Sequence, residues 1–428
     1  MSLVPEAGAL FQGFSKLSRE DRFQRLLDLG ALTPDDVLYL LQGGIHDMGL
    51  ADKLIENVIG YFQLPLGVAT HFCIDGRDYA IPLAVEETSI IAALSKTAKW
   101  VRQCGEITTK VRGHCILGQI QLASIKNYDK FSRILAENKQ FLIEKANEDV
   151  AQSMVQRGGG VVDLQWRTLR RADGADMVVI HLLMDSCDAM GANIINQVLE
   201  YLKAPIEQLT GEQVNLCILS NLNDQKLTTA TVTIHDVEAN LGLRLQEASL
   251  FAEMDPYRAA THNKGVMNGI DPVLIATGND WRAVEAGVHA FAARSGQYQA
   301  ISRWRYHQGT LTGELTAPII VGTVGGVTAV HPTAKLCLRM MGIESSNHLS
   351  RVIAAVGLVQ NLGAMRALCT EGIIQGHMKL HIDNLLMVAG ATEGEVPVLK
   401  ERLQDWLIMN KRISVNNACD LLAELRDA

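Results

Sequence analysis

The chain has 428 residues, of which 48% are hydrophobic and 20% charged, with a formal net charge of −8 at pH 7. This composition is typical of a globular protein with room for two domains. The modest negative charge and the absence of a Lys/Arg stripe argue against a nucleic-acid partner, and no apolar run approaches the roughly eighteen residues of a membrane span.

The cysteines and the N-terminal segment indicate a cytoplasmic protein. Eight cysteines are scattered along the chain without a CxxC pair, which suits a reducing compartment and argues against both a disulfide framework and a cysteine-built zinc site. The N-terminal segment has no basic stretch followed by an apolar one, so it does not resemble a signal peptide. We therefore expect neither secretion nor membrane insertion.

The first part of the chain is predicted to begin with helices and to continue with a β-hairpin. In "TPDDVLYLL", Thr33 is a suitable N-cap and Pro34 suits the first helical position. From residue 64 to residue 85 the pattern becomes that of strands, with a hairpin turn at Asp75-Gly76. A strand then leads into "VEETS", and a helix is expected over residues 88–104.

Residues 112–222 have an element order of their own. A strand at "HCILGQIQLASI" is followed by a long helix that should end at glycines 158–160. Two strands joined by a turn, a helix at "GANIINQVLEYLKAPIEQLTG" and a closing strand at "VNLCILS" complete the order β-α-β-β-α-β, which is that of a ferredoxin-like unit. We predict an α+β protein in which this small domain is inserted into a larger one comprising residues 1–111 and 223–375.

The larger domain is expected to combine helices, strands and one polar loop. The segment "DPYRAATHNKGVMNGIDPVLIATGNDWRA" follows a helix, is interrupted by glycines and is predicted as a loop. Strands and turns are expected over residues 299–330. The apolar stretch "SNHLSRVIAAVGLVQNLGAMRALC" predicts a central buried helix, and residues 376–428 predict a small helical flap able to move as a unit.

Two polar segments are candidates for catalysis, and each has a purely structural alternative. Glu86 and Glu87 follow a strand, on which neighbours point to opposite faces, so at most one faces a buried cleft. A glutamate there would have a raised pKa and could donate a proton; the alternative is a turn with two solvated acids. In the glycine-broken segment, Lys264 could stabilise an oxyanion, Asp280 could tune neighbouring charges and Arg258 could clamp a carboxylate. The alternative there is an elaborate solvated loop.

Two further motifs are weak evidence when taken alone. "DAMGAN" joins a strand to a helix whose N-terminus would attract phosphate, but it lacks the GxGxxG spacing of a Rossmann turn. In "GHMKLH", His377 and His381 lie one helical turn apart, as paired zinc ligands do, but no glutamate lies between them and Lys379 does. A zinc site, an acid–base pair and two core or surface histidines are all compatible with this stretch.

Six motifs occur in a recognisable order: "ENVIG", "VEETS", "DAMGAN", "THNKG", "GNDWRAVEAG" and "GHMKLH". Over residues 35–400 the chain resembles 3-hydroxy-3-methylglutaryl-coenzyme A (HMG-CoA) reductase of the bacterial, class II type, which has no membrane domain. The resemblance implies a four-electron oxidoreductase that interconverts HMG-CoA and mevalonate plus CoA with two NAD(P)H, by way of hemithioacetal and mevaldehyde stages.

The resemblance assigns catalytic roles to four residues. Glu87 matches the glutamate that donates a proton to the substrate carbonyl oxygen, and Lys264 matches the lysine that stabilises the oxyanions. Asp280 matches the aspartate between them, which holds the charge network. His377 matches the histidine that protonates the departing CoA thiolate, a task suited to the pKa of histidine, and no metal is required.

The resemblance also assigns binding residues. The positions implied to hold the substrate are Ser89, Arg258, Asn268, Gln360, Asn361 and His381. The positions implied to line the dinucleotide, on a non-Rossmann nucleotide-binding domain of residues 112–222, are Asp188, Met190, Gly191, Asn193 and Asn221. Asp149, at the end of the long helix, is the predicted partner of the ribose 2′-hydroxyl. Since either Asp149 or its neighbour Glu148 would repel a 2′-phosphate, NADH is the expected cofactor.

The family's site is built across two subunits, so the resemblance implies a homodimer or a higher assembly of dimers. The family's mobile flap corresponds to the C-terminal residues from 376 onward. Two alternatives belong to other classes: a zinc-dependent hydrolase that uses His377 and His381, and a non-catalytic relative that binds acyl-CoA. Retention of all four catalytic matches argues against the non-catalytic alternative.

Overall fold

The computed structural model describes residues 7–370, 382–410 and 412–427. Within these ranges the chain forms ten strands in three antiparallel sheets. The strands are β1 (Leu66–Ile74), β2 (Arg77–Ala84), β3 (Gly105–Arg112), β4 (Cys115–Leu122), β5 (Gly160–Arg170), β6 (Asp176–Asp185), β7 (Leu216–Leu219), β8 (Leu227–Ile234), β9 (Ser302–His307) and β10 (Thr310–Ala317).

Helices precede, connect and follow the strands. The first half of the chain contains α1 (Ala7–Leu10), α2 (Arg19–Asp28), α3 (Pro34–Leu41), α4 (Met48–Leu54), α5 (Ile90–Cys104), α6 (Tyr128–Asp149), α7 (Gln152–Val155) and α8 (Ala192–Thr210). The second half contains α9 (Ala239–Met254), α10 (Pro256–Ala276), α11 (Trp281–Ala292), α12 (Gly326–Val330), α13 (Pro332–Met340), α14 (Ser346–Cys369), α15 (382–388), α16 (Val396–Asn410) and α17 (Val415–Asp427).

Local sequence signals explain the N-terminal elements. At the start of α3 the Thr33 hydroxyl accepts the Asp36 N–H at 3.2 Å, and the Asp36 carboxylate accepts the Thr33 N–H at 3.0 Å. This reciprocal capping box satisfies two backbone donors that the helix leaves free. Between β1 and β2, Asp75 (φ 51°) and Gly76 (φ 78°) both adopt left-handed conformations, as a two-residue hairpin turn requires. The predicted hairpin is therefore confirmed.

The larger unit is organised around α14, the predicted central helix. This helix packs against α10, α5 and the sheet of order β3-β8-β10-β9. By length and composition it could cross a membrane, but 72% of its apolar window is buried inside the protein, which is the pattern of a core helix. The crossing with α10 is close, because a Cβ added to Gly269 would lie 3.1 Å from Gly357 Cα.

A second unit has its own four-stranded sheet, of order β5-β6-β4-β7. Along the chain its main elements follow the order β-α-β-β-α-β, and α6 and α8 pack on the sheet around a separate apolar core. The predicted α+β class with a ferredoxin-like unit is confirmed. The boundaries of the domains at residues 111, 222 and 375 stay predictions.

The C-terminal helices enclose a small core of their own. Its buried side chains include Ile382, Leu386, Leu399, Leu403 and Leu422, contributed by α15, α16 and α17. The predicted helical C-terminal unit is therefore present over the described residues. Its first predicted residues, 376–381, lie outside them.

One prediction about local structure is wrong. The polar segment around "THNKG" is predicted as a loop because glycines interrupt it, yet it forms the continuous helix α10. Asp255 caps the start of this helix by accepting the N–H groups of Tyr257 and Arg258. Eleven residues of α10 are buried, and this tertiary burial outweighs the poor helix propensity of glycine and asparagine.

Candidate active site

The centre of the candidate site is an ion pair between Glu87 and Lys264. Glu87 lies in the turn that joins β2 to α5, and the Lys264 ammonium, in the middle of α10, donates to Glu87 Oε2 at 3.2 Å. The two residues are 177 positions apart in the sequence. A carboxyl group beside an ammonium can transfer a proton and stabilise an oxyanion at the same reacting carbonyl.

The turn beside Glu87 is strained and contains unsatisfied hydroxyls. Ser89 adopts a left-handed conformation with φ 79°, which is unfavourable for any residue other than glycine. The hydroxyls of Thr88 and Ser89 are both buried and have no hydrogen-bond partner within the described residues. Each such group costs about 1–3 kcal/mol unless a ligand satisfies it. Thr88 was not selected from the sequence, although it belongs to the same "VEETS" motif.

Side chains on α10 and α14 add further polar groups that could bind a ligand. The guanidinium of Arg258, on α10, forms no ion pair with any residue in the described part of the chain, and burial lowers the pKa of Arg258. An uncompensated, half-buried guanidinium suits a carboxylate ligand. On α14, the buried Oε1 of Gln360 also has no partner among the described residues, and Asn268 is half-buried one turn after Lys264.

Asn361, a predicted substrate-binding residue, lies in the protein interior. Its side chain is 1% exposed, and its Oδ1 accepts hydrogen bonds from Ser302 Oγ at 2.9 Å and Trp304 Nε1 at 3.1 Å. His262 Nε2 contacts Ser302 Oγ at 2.6 Å, and burial lowers the pKa of His262 to about 4. This neutral network braces α10 and α14 against β9. No sequence signal indicated the role of Ser302.

Asp280, the third predicted catalytic residue, caps the start of α11. Its Oδ1 accepts the Ala283 N–H at 3.2 Å, at the start of α11, and lies 3.5 Å from Arg282 Nε. Within residues 7–370 its carboxylate forms no ion pair with Lys264. The structure therefore brings Glu87 and Lys264 into contact and leaves Asp280 outside that contact.

The two histidines of "GHMKLH" lie outside the described residues. His377 and His381 are thus without structural description, and so is the substrate-binding role predicted for His381. Within the described ranges, no group of three or more His, Cys, Asp or Glu side chains is arranged to hold a metal ion.

A narrow cleft separates the ferredoxin-like unit from α11. Met190, Ala192 and Asn221 line it on one side, and Ala283 of α11 lines it on the other. Ala283 is the residue whose N–H is capped by Asp280. The cleft therefore connects two of the predicted nucleotide-binding residues with the helix end that carries a predicted catalytic residue.

The turn at "DAMGAN" leaves the N-terminus of α8 open to an anion. Gly191 precedes this helix with φ 93° and gives no side-chain cap, so the first N–H groups of α8 have no side-chain acceptor there. A Cβ at Gly191 would lie 2.6 Å from Ser186 Cβ, and the positive φ is itself unfavourable for other residues, so glycine is strongly favoured here. The Asp188 carboxylate accepts the Ser346 N–H at 2.8 Å and ties the turn to α14. Asn193 is exposed in the first turn of α8. These groups fit the pyrophosphate of a dinucleotide.

Asp149 is engaged away from this turn. Its carboxylate accepts hydrogen bonds from the hydroxyl of Tyr201 and, at 2.9 Å, from the ammonium of Lys145. Both bonds lower the pKa of Asp149, the bond from Tyr201 most. Tyr201 follows Gly191 by ten residues on α8, which corresponds to about 15 Å along the helix axis. The structure does not bring Asp149 to the residues of "DAMGAN".

An α+β body with a charged Glu–Lys centre and a separate ferredoxin-like unit, which is not a Rossmann fold, is consistent with the class of oxidoreductase that the motifs resemble. The model of the hydroxymethylglutaryl-coenzyme A reductase family matches residues 20–382. The chain belongs to this family, as its motifs predicted.

Relatives of known structure and sequence agree with this membership. The chain is 42% identical to the 3-hydroxy-3-methylglutaryl-coenzyme A reductase of Archaeoglobus fulgidus over 97% of its own length and 94% of the relative's. It is 38% identical to the reductase of Streptococcus pneumoniae, whose structure matches with a TM-score of 0.82 over 97% of this chain and 99% of that one. A structure of the class II enzyme from the same organism, bound to NADPH in open conformations, matches with a TM-score of 0.81 over 84% of this chain and 100% of that one.

Proposed function

We propose that the protein interconverts HMG-CoA and mevalonate plus CoA, using two equivalents of a reduced nicotinamide cofactor. The observation that carries the proposal is the contact of Glu87 with Lys264, 3.2 Å apart, in a family of HMG-CoA reductases. The reaction needs a proton donor and a cation at one carbonyl oxygen, and this pair supplies both. The family match leaves the zinc-dependent hydrolase without support.

In this proposal Lys264 and Glu87 act on the same oxygen in two reductions. Two reduced nicotinamide cofactors, bound one after the other, would each supply one hydride to a carbonyl carbon. When the thioester carbonyl is reduced, the Lys264 ammonium stabilises the oxyanion of the hemithioacetal. That species breaks its C–S bond to give mevaldehyde, and His377 protonates the CoA thiolate. In the second reduction the new alkoxide is stabilised by Lys264 and takes its proton from Glu87.

The substrate is proposed to satisfy the polar groups that lack partners. The carboxylate of the HMG portion would pair with the Arg258 guanidinium, while the hydroxyl of Ser89 and the amides of Asn268 and Gln360 would hydrogen-bond to the remaining oxygens. Asn361 would then act by bracing α14, since its own amide is committed to Ser302 and Trp304. His381 is also proposed to bind the substrate, because its motif "GHMKLH" resembles that of the family.

The dinucleotide is proposed to bind with its pyrophosphate at the start of α8, against Gly191 and Asn193, and to extend along the cleft lined by Met190 and Asn221. Asp188 would hold the turn in place through Ser346. NADH is proposed as the preferred cofactor, since Glu148 and the neighbouring Asp149 would repel a 2′-phosphate. Asp149 can take this role only if its carboxylate gives up the hydrogen bond from Tyr201.

The protein is proposed to act as a cytoplasmic homodimer or an assembly of dimers. Several large apolar side chains stand exposed on the single chain, among them Ile59, Phe62 and Tyr257. Exposed apolar patches of this kind mark protein–protein interfaces. The C-terminal helices would close over the site as a flap and bring His377 to the leaving thiolate.

The decisive experiment follows cofactor absorbance in the presence of HMG-CoA. We expect two reduced cofactors to be consumed for each HMG-CoA, and a higher kcat/KM with NADH than with NADPH. Absence of oxidation with either cofactor contradicts the proposed function. Oxidation with a higher kcat/KM for NADPH leaves the function intact and contradicts the proposed cofactor preference.

A further inference from the structure

His348 lies buried in the first turn of α14 and is bonded through both nitrogens of its ring. The Glu344 N–H donates to His348 Nδ1 at 3.3 Å, and His348 Nε2 lies 2.8 Å from the hydroxyl oxygen of Tyr79 on β2. Because a backbone N–H can only donate, Nδ1 carries no proton. The proton of the neutral ring is therefore on Nε2 and points to Tyr79. This geometry requires an uncharged imidazole.

The surroundings of the ring also disfavour a positive charge. A proton added to Nδ1 would face the Glu344 N–H, and a cation in the first turn of α14 would lie at the positive end of the helix dipole. The charged side chains around the ring are held in two ion pairs, Arg77–Glu344 at 3.4 Å and Arg351–Asp75 at 3.5 Å. Burial, followed by the charges of Arg77 and Arg351, lowers the pKa of His348 from its ordinary value of 6.5.

The same turn of α14 is bonded to the "DAMGAN" turn of the ferredoxin-like unit. The Ser346 N–H donates to the Asp188 carboxylate at 2.8 Å, and the Ser346 hydroxyl donates to the Cys187 carbonyl at 3.1 Å. Asp188 is thus the charged group that faces this turn from the ferredoxin-like unit. The first turn of α14 is held on one side by Tyr79, through His348, and on the other side by the "DAMGAN" turn, through Ser346.

We propose that His348 is a positioning residue for the dinucleotide, which in its neutral form holds Ser346, and through it Asp188 and the "DAMGAN" turn, in the place that the cofactor requires. Protonation would convert the acceptor Nδ1 into a donor, break the bond from Glu344 and loosen the turn. The affinity for the cofactor is therefore expected to fall in acid. This role rests on the proposed function, because it assumes that the dinucleotide binds at this turn.

The test measures the Kd of NADH without HMG-CoA, from about pH 7.5 to about pH 5.5, the range in which histidine titrates. The wild type is compared with His348→Asn, whose amide oxygen can accept the Glu344 N–H and whose side chain cannot ionise. As the pH falls, we expect the Kd of the wild type to rise relative to that of the variant by about two- to thirtyfold, the range of couplings transmitted through intervening residues. A ratio of the two Kd values that does not change with pH would overturn the proposal.

Two further variants sharpen the measurement. Tyr79→Phe removes the acceptor of the Nε2 proton and keeps the aromatic ring, so it should raise the Kd of NADH already at neutral pH. His307→Asn is the matched control, because it makes the same substitution at a histidine exposed at the end of β9; its Kd profile should follow the wild type. A wild-type Kd for Tyr79→Phe at every pH would contradict the role of the bond between Tyr79 and His348.

Thermal stability separates positioning from a purely structural role. Since the pKa of His348 is lower in the folded chain, the unfolded chain takes up the proton first as the pH falls. This group's contribution to stability is fully present above pH 6.5 and is lost as the pH falls through the lower pKa of the folded state. The Tm of the wild type should therefore fall more than that of His348→Asn. If the Tm values diverge in this way while the ratio of Kd values stays constant, the bond is structural and the positioning role is overturned.

Failure of the proposed function gives a different result. If the wild type binds NADH but oxidises none of it with HMG-CoA, the proposed function fails, and the Kd profiles still decide whether His348 holds the cofactor turn. If the wild type binds no NADH at any pH, the positioning role fails together with the proposed function.

Discussion

The ion pair between Glu87 and Lys264 contributes little to folding stability. The two side chains are 40% and 62% exposed, and exposed pairs contribute about 0–1 kcal/mol. The neighbouring residues reduce the stability of the fold. Ser89 has a strained backbone, and the hydroxyls of Thr88 and Ser89 are buried without partners among the described residues. Features that cost stability and gather around one pair are typical of functional sites.

The substitution Glu87→Gln is expected to lower the catalytic rate without lowering the stability of the protein. The amide keeps the size of the side chain but donates no proton to an alkoxide, so we expect kcat to fall by about 10²–10⁴-fold. The Tm should change little, because the pair is exposed. Glu86→Gln is the matched control, as the neighbouring acid is also exposed and has no ion pair within the described residues. Equal losses of kcat in the two variants would contradict the role of Glu87.

Local sequence patterns select candidate residues but do not report their contacts. Separated motifs selected Glu87 and Lys264 as candidates, but no local pattern reports that side chains 177 residues apart meet, and the resemblance had placed Asp280 between them. Nothing in the sequence showed that Asn361 is committed to an internal network.

At the scale of secondary-structure elements, the most informative one is α10, which was predicted as a loop. α10 contains Gly265, Gly269 and an internal Pro272, which single-residue propensities count against a helix. Pro272 cannot donate to the carbonyl of Asn268, one turn earlier. The helix persists because it is buried against α14, and the glycine at the crossing is what allows the two helices to approach. Tertiary packing of this kind cannot be read from a local window.

Two glycines of α10 allow a matched test of this crossing. A Cβ at Gly269 would lie 2.9 Å from Val356 O and from Gln360 Cβ, so Gly269→Ala should destabilise the protein by about 1–3 kcal/mol through overpacking. A Cβ at Gly265 would have nothing within 4 Å, so Gly265→Ala should raise the stability by about 0.5–1 kcal/mol. Denaturant unfolding measures both free energies. Equal effects of the two substitutions would contradict the close crossing.

At the scale of the whole molecule, the ferredoxin-like unit was predictable because it depends on local signals, whereas strands β3 and β8 of the larger unit's sheet were not predicted. The element order of the ferredoxin-like unit follows from alternating strand and helix patterns and from the glycines that end its helices. The cleft between that unit and α11 was not predictable from these patterns. It depends on how Met190 and Asn221 are set against Ala283, a contact between residues far apart in the chain.

The oligomeric state is a property of the whole molecule. Ile59 is 101% exposed and Phe62 is 93% exposed; Ile59 lies within the "ENVIG" motif and Phe62 follows it, in a segment with further exposed apolar residues. Large apolar side chains remain this exposed at a cost, unless a second chain covers them. We therefore expect light scattering to report at least twice the chain mass for the wild type, and a smaller mass for Phe62→Asp, because a charge cannot be buried there without a partner.

The matched control for this prediction is Phe141→Asp. Phe141 is 52% exposed, but it lies on α6 of the ferredoxin-like unit, away from that segment in the chain. Its substitution should leave the mass unchanged. If the site is completed across two subunits, Phe62→Asp should also lose kcat in proportion to the monomer present, and raising the protein concentration should restore part of it by mass action. A wild type that is monomeric and fully active would contradict the proposed dimer.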